Sequence, residues 1–271
     1  MIVKVKGLVL KAKNINENDK YLTVLCEEYG KISFNAAGAR NFKSKNLVSA
    51  QPFAYSEFTL FKGSAFMRLN EAHIIENFYG IRTNLASLAL AVYLADIACV
   101  ICVGEVGGDG GILRLLLNTL YMLSNQKIPA ETLKAIFELR VLTKSGFMPN
   151  LSECELCLRR NFESDAPIFF DYIGGNLICD NCLSLSNENE KGQGGNDEFE
   201  WLGNSQKKLA RISQGALEAM RFVTGAKDEK LFSFSLSEDL AREFSKICEK
   251  YLLEQLVMNT DSLKYYKSCM G

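Results

Sequence analysis

MIVKVKGLVLKAKNINENDKYLTVLCEEYGKISFNAA, residues 1–37, is the stretch on which the reading of the fold turns. Over residues 2–12 apolar and polar residues alternate, Val3 and Val5 with Lys4 and Lys6, before Leu8-Val9-Leu10. A period of two marks a half-buried strand. Residues 14–19 form a polar turn, 21–26 a second strand, Tyr29-Gly30 a natural turn, and 31–37 a third strand. Further on, 51–61 and 65–69 flank the short loop Lys62-Gly63-Ser64. Five short strands in about 80 residues predict a small closed barrel; an OB-fold answers that count and size, and on strand pattern alone an SH3-like barrel does so nearly as well.

Beyond Gly80 the period changes. Residues 85–103, LASLALAVYLADIACVICV, are almost continuously apolar and long enough to span a bilayer. Asp96 sits at the middle, where a charge costs roughly 2.5–3.5 kcal/mol on insertion scales, and no second span accompanies it. The stretch is therefore read as a central helix buried by others, capped by Thr83 or Asn84, and no membrane is expected. Residues 104–111 read as a flexible turn, Ile112–Ser124 as a second helix, and Pro129 opens a third that runs through Phe137-Glu138-Leu139-Arg140 to near Gly146. After residues 184–203, Leu209, Ile212, Ala216, Met220 and Val223 share one helical face. Ser235-x-x-Glu238 reads as a capping box, and Leu240, Phe244, Ile247, Tyr251 and Met258 mark a long amphipathic helix before a basic, aromatic tail at 262–268.

The expected class is α+β. Residues 1–80 are expected to form an N-terminal OB-fold β-barrel. An α-helical domain starts at 81–150 and carries a four-cysteine zinc-ribbon-like insert at 151–183. Residues 184–203, opening SLSNENEKGQGGNDEFE, are a flexible acidic linker, and 204–271 complete the helical domain.

The chain has 31 Lys and Arg against 32 Asp and Glu, a formal net charge of −1. That excludes a globally basic nucleic-acid binder but not a basic face. Residues 1–80 carry 11 Lys/Arg and 7 Asp/Glu, an excess of +4, which leaves −5 for the remainder; the asymmetry points to polyanion binding by the barrel. No signal peptide is seen at the start, so the nine cysteines are read in a reducing, cytoplasmic compartment, where metal binding or burial outweighs a disulfide framework.

Cys154-Glu155-Leu156-Cys157 and Cys179-Asp180-Asn181-Cys182 are two CxxC pairs. Two residues between cysteines let both thiolates reach one tetrahedral Zn²⁺ at about 2.3 Å. Between the pairs, residues 168–172, Gly174-Gly175-Asn176 and Leu177-Ile178 read as a β-hairpin that brings the second pair back to the first. Four cysteines leave no open coordination position, so one structural zinc per chain is expected rather than a catalytic one. Neither pair opens a helix in a βαβ context, as a thioredoxin-type redox motif would. Cys99 and Cys102 lie within the apolar helix and are read as core.

No P-loop, G-x-S-x-G or dinucleotide fingerprint occurs, and the one histidine, His73, is read as structural, so no enzyme is expected. Residues 38–46, GARNFKSKN, carry Arg40, Lys43 and Lys45 around Phe42. The cations can neutralise phosphates and the ring can stack on a base. Alternation places Lys4 and Lys6 together on one face of the first strand.

These pieces, in this order, resemble the RecO family of recombination mediators. The resemblance runs through Gly7-Leu8-Val9-Leu10, Glu17-Asn18-Asp19, residues 23–30 (TVLCEEYG), Gly38-Ala39-Arg40 with Lys43-Ser44, and Gln51-Pro52-Phe53. It continues in Phe137-Glu138-Leu139-Arg140, Gly146-Phe147-Met148-Pro149 with Cys154 and Cys157, and Leu263-Lys264 with Lys267-Ser268. One departure is Leu158, where the family often has glycine. The resemblance implies a nucleoid-associated, non-catalytic repair protein that binds single- and double-stranded DNA and anneals complementary strands. With RecR it would load RecA on DNA coated by single-stranded-DNA-binding protein, whose C-terminal tail it contacts. The DNA-binding residues implied are Arg40, Lys43 and Lys45, joined by Lys4, Lys6, Lys31 and Arg140. A competing reading is a zinc-ribbon adaptor that binds only proteins.

Overall fold

The alternating N-terminal stretch folds as β1 (Ile2–Asn14), β2 (Lys20–Cys26) and β3 (Gly30–Ala36) in a computed structural model. The structure describes residues 1–63, 66–102, 111–160, 162, 166–190 and 208–270. With β4 (Tyr55–Lys62) and β5 (Met67–Glu76) these strands close a barrel in the order β1-β2-β3-β5-β4, β4 pairing back onto β1. All pairings are antiparallel except β3 with β5, which meet in parallel at Asn35 and Arg68. This is the OB-type arrangement. The inward residues Val5, Val9, Leu22, Val24, Ile32, Phe34, Phe58 and Leu60 fill the barrel, with Phe34 and Phe58 edge to face at 5.4 Å. Gly7 lets β1 approach β2 closely, because a Cβ there would lie 2.5 Å from Val24 Cγ1 and 2.9 Å from the Leu25 carbonyl oxygen.

Two strand bounds differ from expectation by more than two residues. β4 starts at Tyr55 rather than residue 51: Pro52 has no N–H for a ladder, and Phe53 has φ 64°. β5 extends to Glu76, because pairing with β4 sustains a strand whose residues are mostly exposed, Ala72 alone being buried. His73 stands on this exposed wall, 3.7 Å from Glu71, not in a packed structural position.

By compactness the chain divides into Met1–Leu133 with Met258–Gly271, and Lys134–Val257. The first unit holds the barrel, α1 (Tyr79–Arg82), α2 (Leu85–Ile101), α3 (Ile112–Ser124) and the start of α4 (Ala130–Lys144). Asn84 caps α2, accepting from the Ser87 N–H at 3.0 Å. Helix α2 buries residues all round, Ser87, Leu90, Tyr93, Leu94 and Ile97 among them, and the terminal helix (Asp261–Ser268) packs against it. Asp96 is held by Lys11 of β1 at 2.7 Å. That ion pair explains a carboxylate in the middle of an apolar helix. Among the described residues no helix is long and apolar enough to cross a membrane. Residues 103–110, most of the expected flexible turn, lie outside the described residues.

The second unit is built on a four-stranded sheet, β6 (Asn150–Cys154), β7 (Ile168–Asp171), β8 (Asn176–Cys179) and β9 (Leu209–Ile212), in the order β6-β8-β7-β9. Helices α5 (Asp180–Glu190), α6 (Gln214–Gly225) and α7 (Glu238–Gln255) belong to it. Three sequence expectations are corrected here. Leu209 and Ile212 are not on a helix: the edge of β7 takes them as a strand, Ile212 opposite Ile168. The helix begins only after Ser213, whose hydroxyl caps the Ala216 N–H at 3.1 Å. Ser235 does not cap α7, which starts at Glu238 after Ser237, and Met258 falls beyond its end. Residues 184–190 of the expected linker continue α5, and 191–203 lie outside the described residues.

Candidate functional site

Residues 37–54 leave the barrel between β3 and β4 as a succession of tight turns: Asn41 N–H to Gly38 O, Ser44 to Asn41, Leu47 to Ser44 and Ala50 to Asn46. The segment is pinned at several points. Ala39 and Ala50 are buried. Asp19 accepts from the Gly38 N–H at 2.8 Å, and Asn46 accepts from the Ala72 N–H at 3.1 Å. Gly38 has φ +66°, a left-handed turn that glycine adopts without strain. Hydrogen bonds from Gly38 and then Asn16 hold the Asp19 carboxyl below the usual carboxylate range.

The tip presents Arg40, Phe42, Lys43 and Lys45 to solvent, Phe42 at 94% exposure. Arg40 is braced against the β1–β2 turn, its N–H on the Asn18 carbonyl at 2.9 Å and its guanidinium on the Asn16 carbonyl. Two further cations stand near it that sequence reasoning did not single out. Lys20 is buried and donates to the Ala50 carbonyl at 3.2 Å. Burial, and then the neighbouring Arg40 and Arg82, push its pKa down. Arg82 donates to the Pro52 carbonyl at 2.6 Å. Both are placed by contacts about thirty residues away in sequence, which local pattern does not reveal.

The remaining predicted cations are placed differently. Lys4 and Lys6 share an exposed face of β1, but the groove beside them is also lined by Glu27, Glu28 and Glu57, and Lys6 lies opposite Glu57 in register. Lys31 donates its ammonium to the Cys99 carbonyl at the end of α2. In the second unit, Arg140 is turned inward. It donates to the carbonyls of Val223 at 3.1 Å, Thr224 at 2.8 Å and Ala226 at 2.8 Å, and to Asp228 at 3.0 Å. That arrangement terminates α6 and leaves little of the guanidinium for a ligand.

The four cysteines of the two CxxC pairs converge. Cys154 ends β6, Cys157 follows in its turn, Cys179 ends β8 and Cys182 sits in the first turn of α5. Their sulfurs all lie within 4.8 Å of one another, and Cys157 and Cys179 are 3.7 Å apart. A tetrahedron with metal–sulfur bonds of about 2.3 Å has edges of about 3.8 Å. The Cys179 N–H points at the Cys154 sulfur at 3.4 Å. Burial raises the Cys154 thiol, but N–H groups of Cys157, Cys179 and Leu156 outweigh it and bring the pKa down to about 7, while burial and the adjacent Cys179 and Cys157 raise Cys182. This donor set fits a metal ion that prefers four thiolates. Leu158, after the second cysteine, has φ 59°, the left-handed conformation in which glycine is at home.

The chain matches the model "Recombination protein O N terminal" over residues 1–78 and "Recombination protein O C terminal" over residues 82–196. It is 33% identical over 266 residues to the DNA repair protein RecO of Acetivibrio thermocellus, covering 98% of this chain and 96% of that protein. The RecO protein of Caldicellulosiruptor saccharolyticus is 29% identical, covering 98% of each. That of Clostridium acetobutylicum is 28% identical over 97% of this chain and 96% of the relative.

Proposed function

The chain belongs to the RecO family of DNA repair proteins, and on that premise we propose that it is a non-catalytic recombination mediator that binds single- and double-stranded DNA and anneals complementary strands. The observation that carries this reading is the braced loop at 38–46, which holds Arg40, Lys43 and Lys45 around an exposed Phe42. Cations on a short rigid loop release counterions from a phosphate backbone without reading sequence. Annealing asks only that two polyanions be held within a screening length of a shared cationic surface, about 8–10 Å at ordinary salt. No bond is made or broken, so no catalytic group is required.

Lys4 and Lys6 are secondary contacts in this reading, since carboxylates share their face. Lys31 and Arg140 serve the fold. The four-cysteine centre takes one structural Zn²⁺ and stabilises the end of the β6-β8-β7-β9 sheet. In the cell the partners are single- and double-stranded DNA, RecR, the tail of single-stranded-DNA-binding protein and, indirectly, RecA. The test is an annealing assay with complementary oligonucleotides, bare and coated by single-stranded-DNA-binding protein. The reading expects annealing well above the spontaneous rate in both cases, without nucleotide. A protein that leaves the spontaneous rate unchanged would instead be an adaptor.

A further inference from the structure

The sheet of the second unit ends in two edges of different character. On β6 the Leu151 carbonyl is taken by the Arg221 guanidinium at 2.8 Å. On β9 the outward groups have no such cover. The Tyr172 N–H donates to the Lys208 carbonyl, so the backbone groups of Lys208 point at β7. Direction alternates along an antiparallel strand, which turns Ala210 and Ile212 toward β7 and Leu209 and Arg211 away from it. Among the described residues nothing hydrogen-bonds to the N–H or carbonyl of Leu209 or Arg211. The next outward group, the Ser213 N–H, is held by Glu243 at 2.7 Å. The open edge is therefore short, and a carboxylate closes its C-terminal end.

Beyond that end lies a cavity of about 530 Å³, lined among others by Pro167, Ile168, Arg211, Ile212, Gln214 and Glu243. Gln214 Oε1 is shielded from water and has no hydrogen-bond partner among the described residues. Together with the Glu243 carboxylate it calls for a donor, best a cationic one.

This edge is complementary to itself. When a second β9 lies antiparallel, with Ala210 facing its counterpart, Leu209 of each copy meets Arg211 of the other. Each such pair exchanges two N–H···O bonds, so every open group is used. A register centred on Arg211 instead would demand the Ser213 N–H that Glu243 already holds. The favoured register also brings Lys208 of the second copy opposite Ile212, at the mouth of the cavity. That ammonium is 44% exposed and otherwise meets only Glu254 at the surface. It is the donor that Gln214 Oε1 and Glu243 lack, and two-fold symmetry supplies it twice.

We propose that β9 pairs with β9 of a second copy of this chain, joining two sheets into one continuous sheet. The ladder is short, and the two Arg211 residues lie diagonally, about 7–8 Å apart. The dimer is accordingly weak and concentration-dependent. Two copies carry two braced loops, which suits a protein that holds two strands, but the pairing itself does not depend on DNA being the ligand.

The experiment is sedimentation of the full chain without DNA, over a range of concentrations. The wild-type mass should rise toward twice that of one chain. Arg211→Pro removes an outward N–H that the fold does not use, a place where an edge strand tolerates proline. It deletes two hydrogen bonds per dimer and should weaken association roughly 5- to 150-fold. Arg211→Ala keeps the N–H and removes the diagonal repulsion, so it should associate as well as wild type or better. A wild-type chain that stays monomeric throughout overturns the proposal and leaves the DNA-binding reading untouched. So does a proline variant that associates like wild type, or an alanine variant that loses as much as the proline one. If the proline variant melts early, Lys208→Glu decides, because it breaks only a surface ion pair within the chain but sets a carboxylate against Glu243 of the other copy. Unchanged association in that variant overturns the pairing.

Discussion

Lys134 is charged and almost wholly buried, ringed by Glu138 at 3.1 Å, Glu249 at 3.0 Å and the Ser245 hydroxyl at 3.3 Å. Burial alone would lower its pKa, but the two carboxylates outweigh it and raise it. Removing the cation leaves buried carboxylates facing each other, so Lys134→Ala should cost about 3–5 kcal/mol, measured by urea unfolding; a cost under 1 kcal/mol would mean that the network is wetter than the structure implies. Asp228 gives a pH-dependent counterpart. Burial works against its charge, yet hydrogen bonds and charge from Arg140 and Lys144 hold its carboxyl below 3.8. A depressed folded pKa gives stability that is complete above the unfolded value and lost as pH falls through the folded one. Asp228→Asn should therefore lower the melting temperature at neutral pH and flatten its fall below about pH 4. A variant whose acid limb matches wild type would contradict the pairing. Leu158, at φ 59° and largely exposed, should gain roughly 1 kcal/mol on replacement by glycine, read from the same unfolding curves.

Individual elements differ in how visible they were beforehand. The four cysteines were legible because their constraint is local, two residues between each pair. The hairpin between them was legible for the same reason, its Gly174-Gly175 turn completed by Asp171, which accepts from the N–H groups of Ile173 and Gly174. Strand β9 was not, because a four-residue segment with apolar residues three apart fits a helix as well as a strand, and only the free edge of β7 decides. The inward hydrogen bonds of Arg140 are not legible in the sequence, because its acceptors lie 83–88 residues further along. At this scale the cysteine centre yields a prediction. Cys154→Ser or strong chelation should release about one zinc per chain and lower the melting temperature of the sheet it anchors. Full stability with all four thiols reactive and no metal released would remove the metal from the account.

At the scale of the whole molecule the charge is nearly balanced, −1 overall, while residues 1–80 carry an excess of +4. Binding of a polyanion then depends on local fields, because screening confines each charge to about 8 Å at physiological salt. Affinity for DNA should follow the cations of the barrel and not the net charge, and it should fall steeply as salt rises. The most direct measurement is the slope of log K against log salt for an unlabelled-sequence single strand, compared between the wild-type chain and Arg40→Ala/Lys43→Ala/Lys45→Ala. At about 0.7 per phosphate contact on a single strand, the triple variant should bind more weakly with a slope shallower by about 2. A variant with the same affinity and the same slope as wild type would show that DNA meets this protein somewhere other than the braced loop.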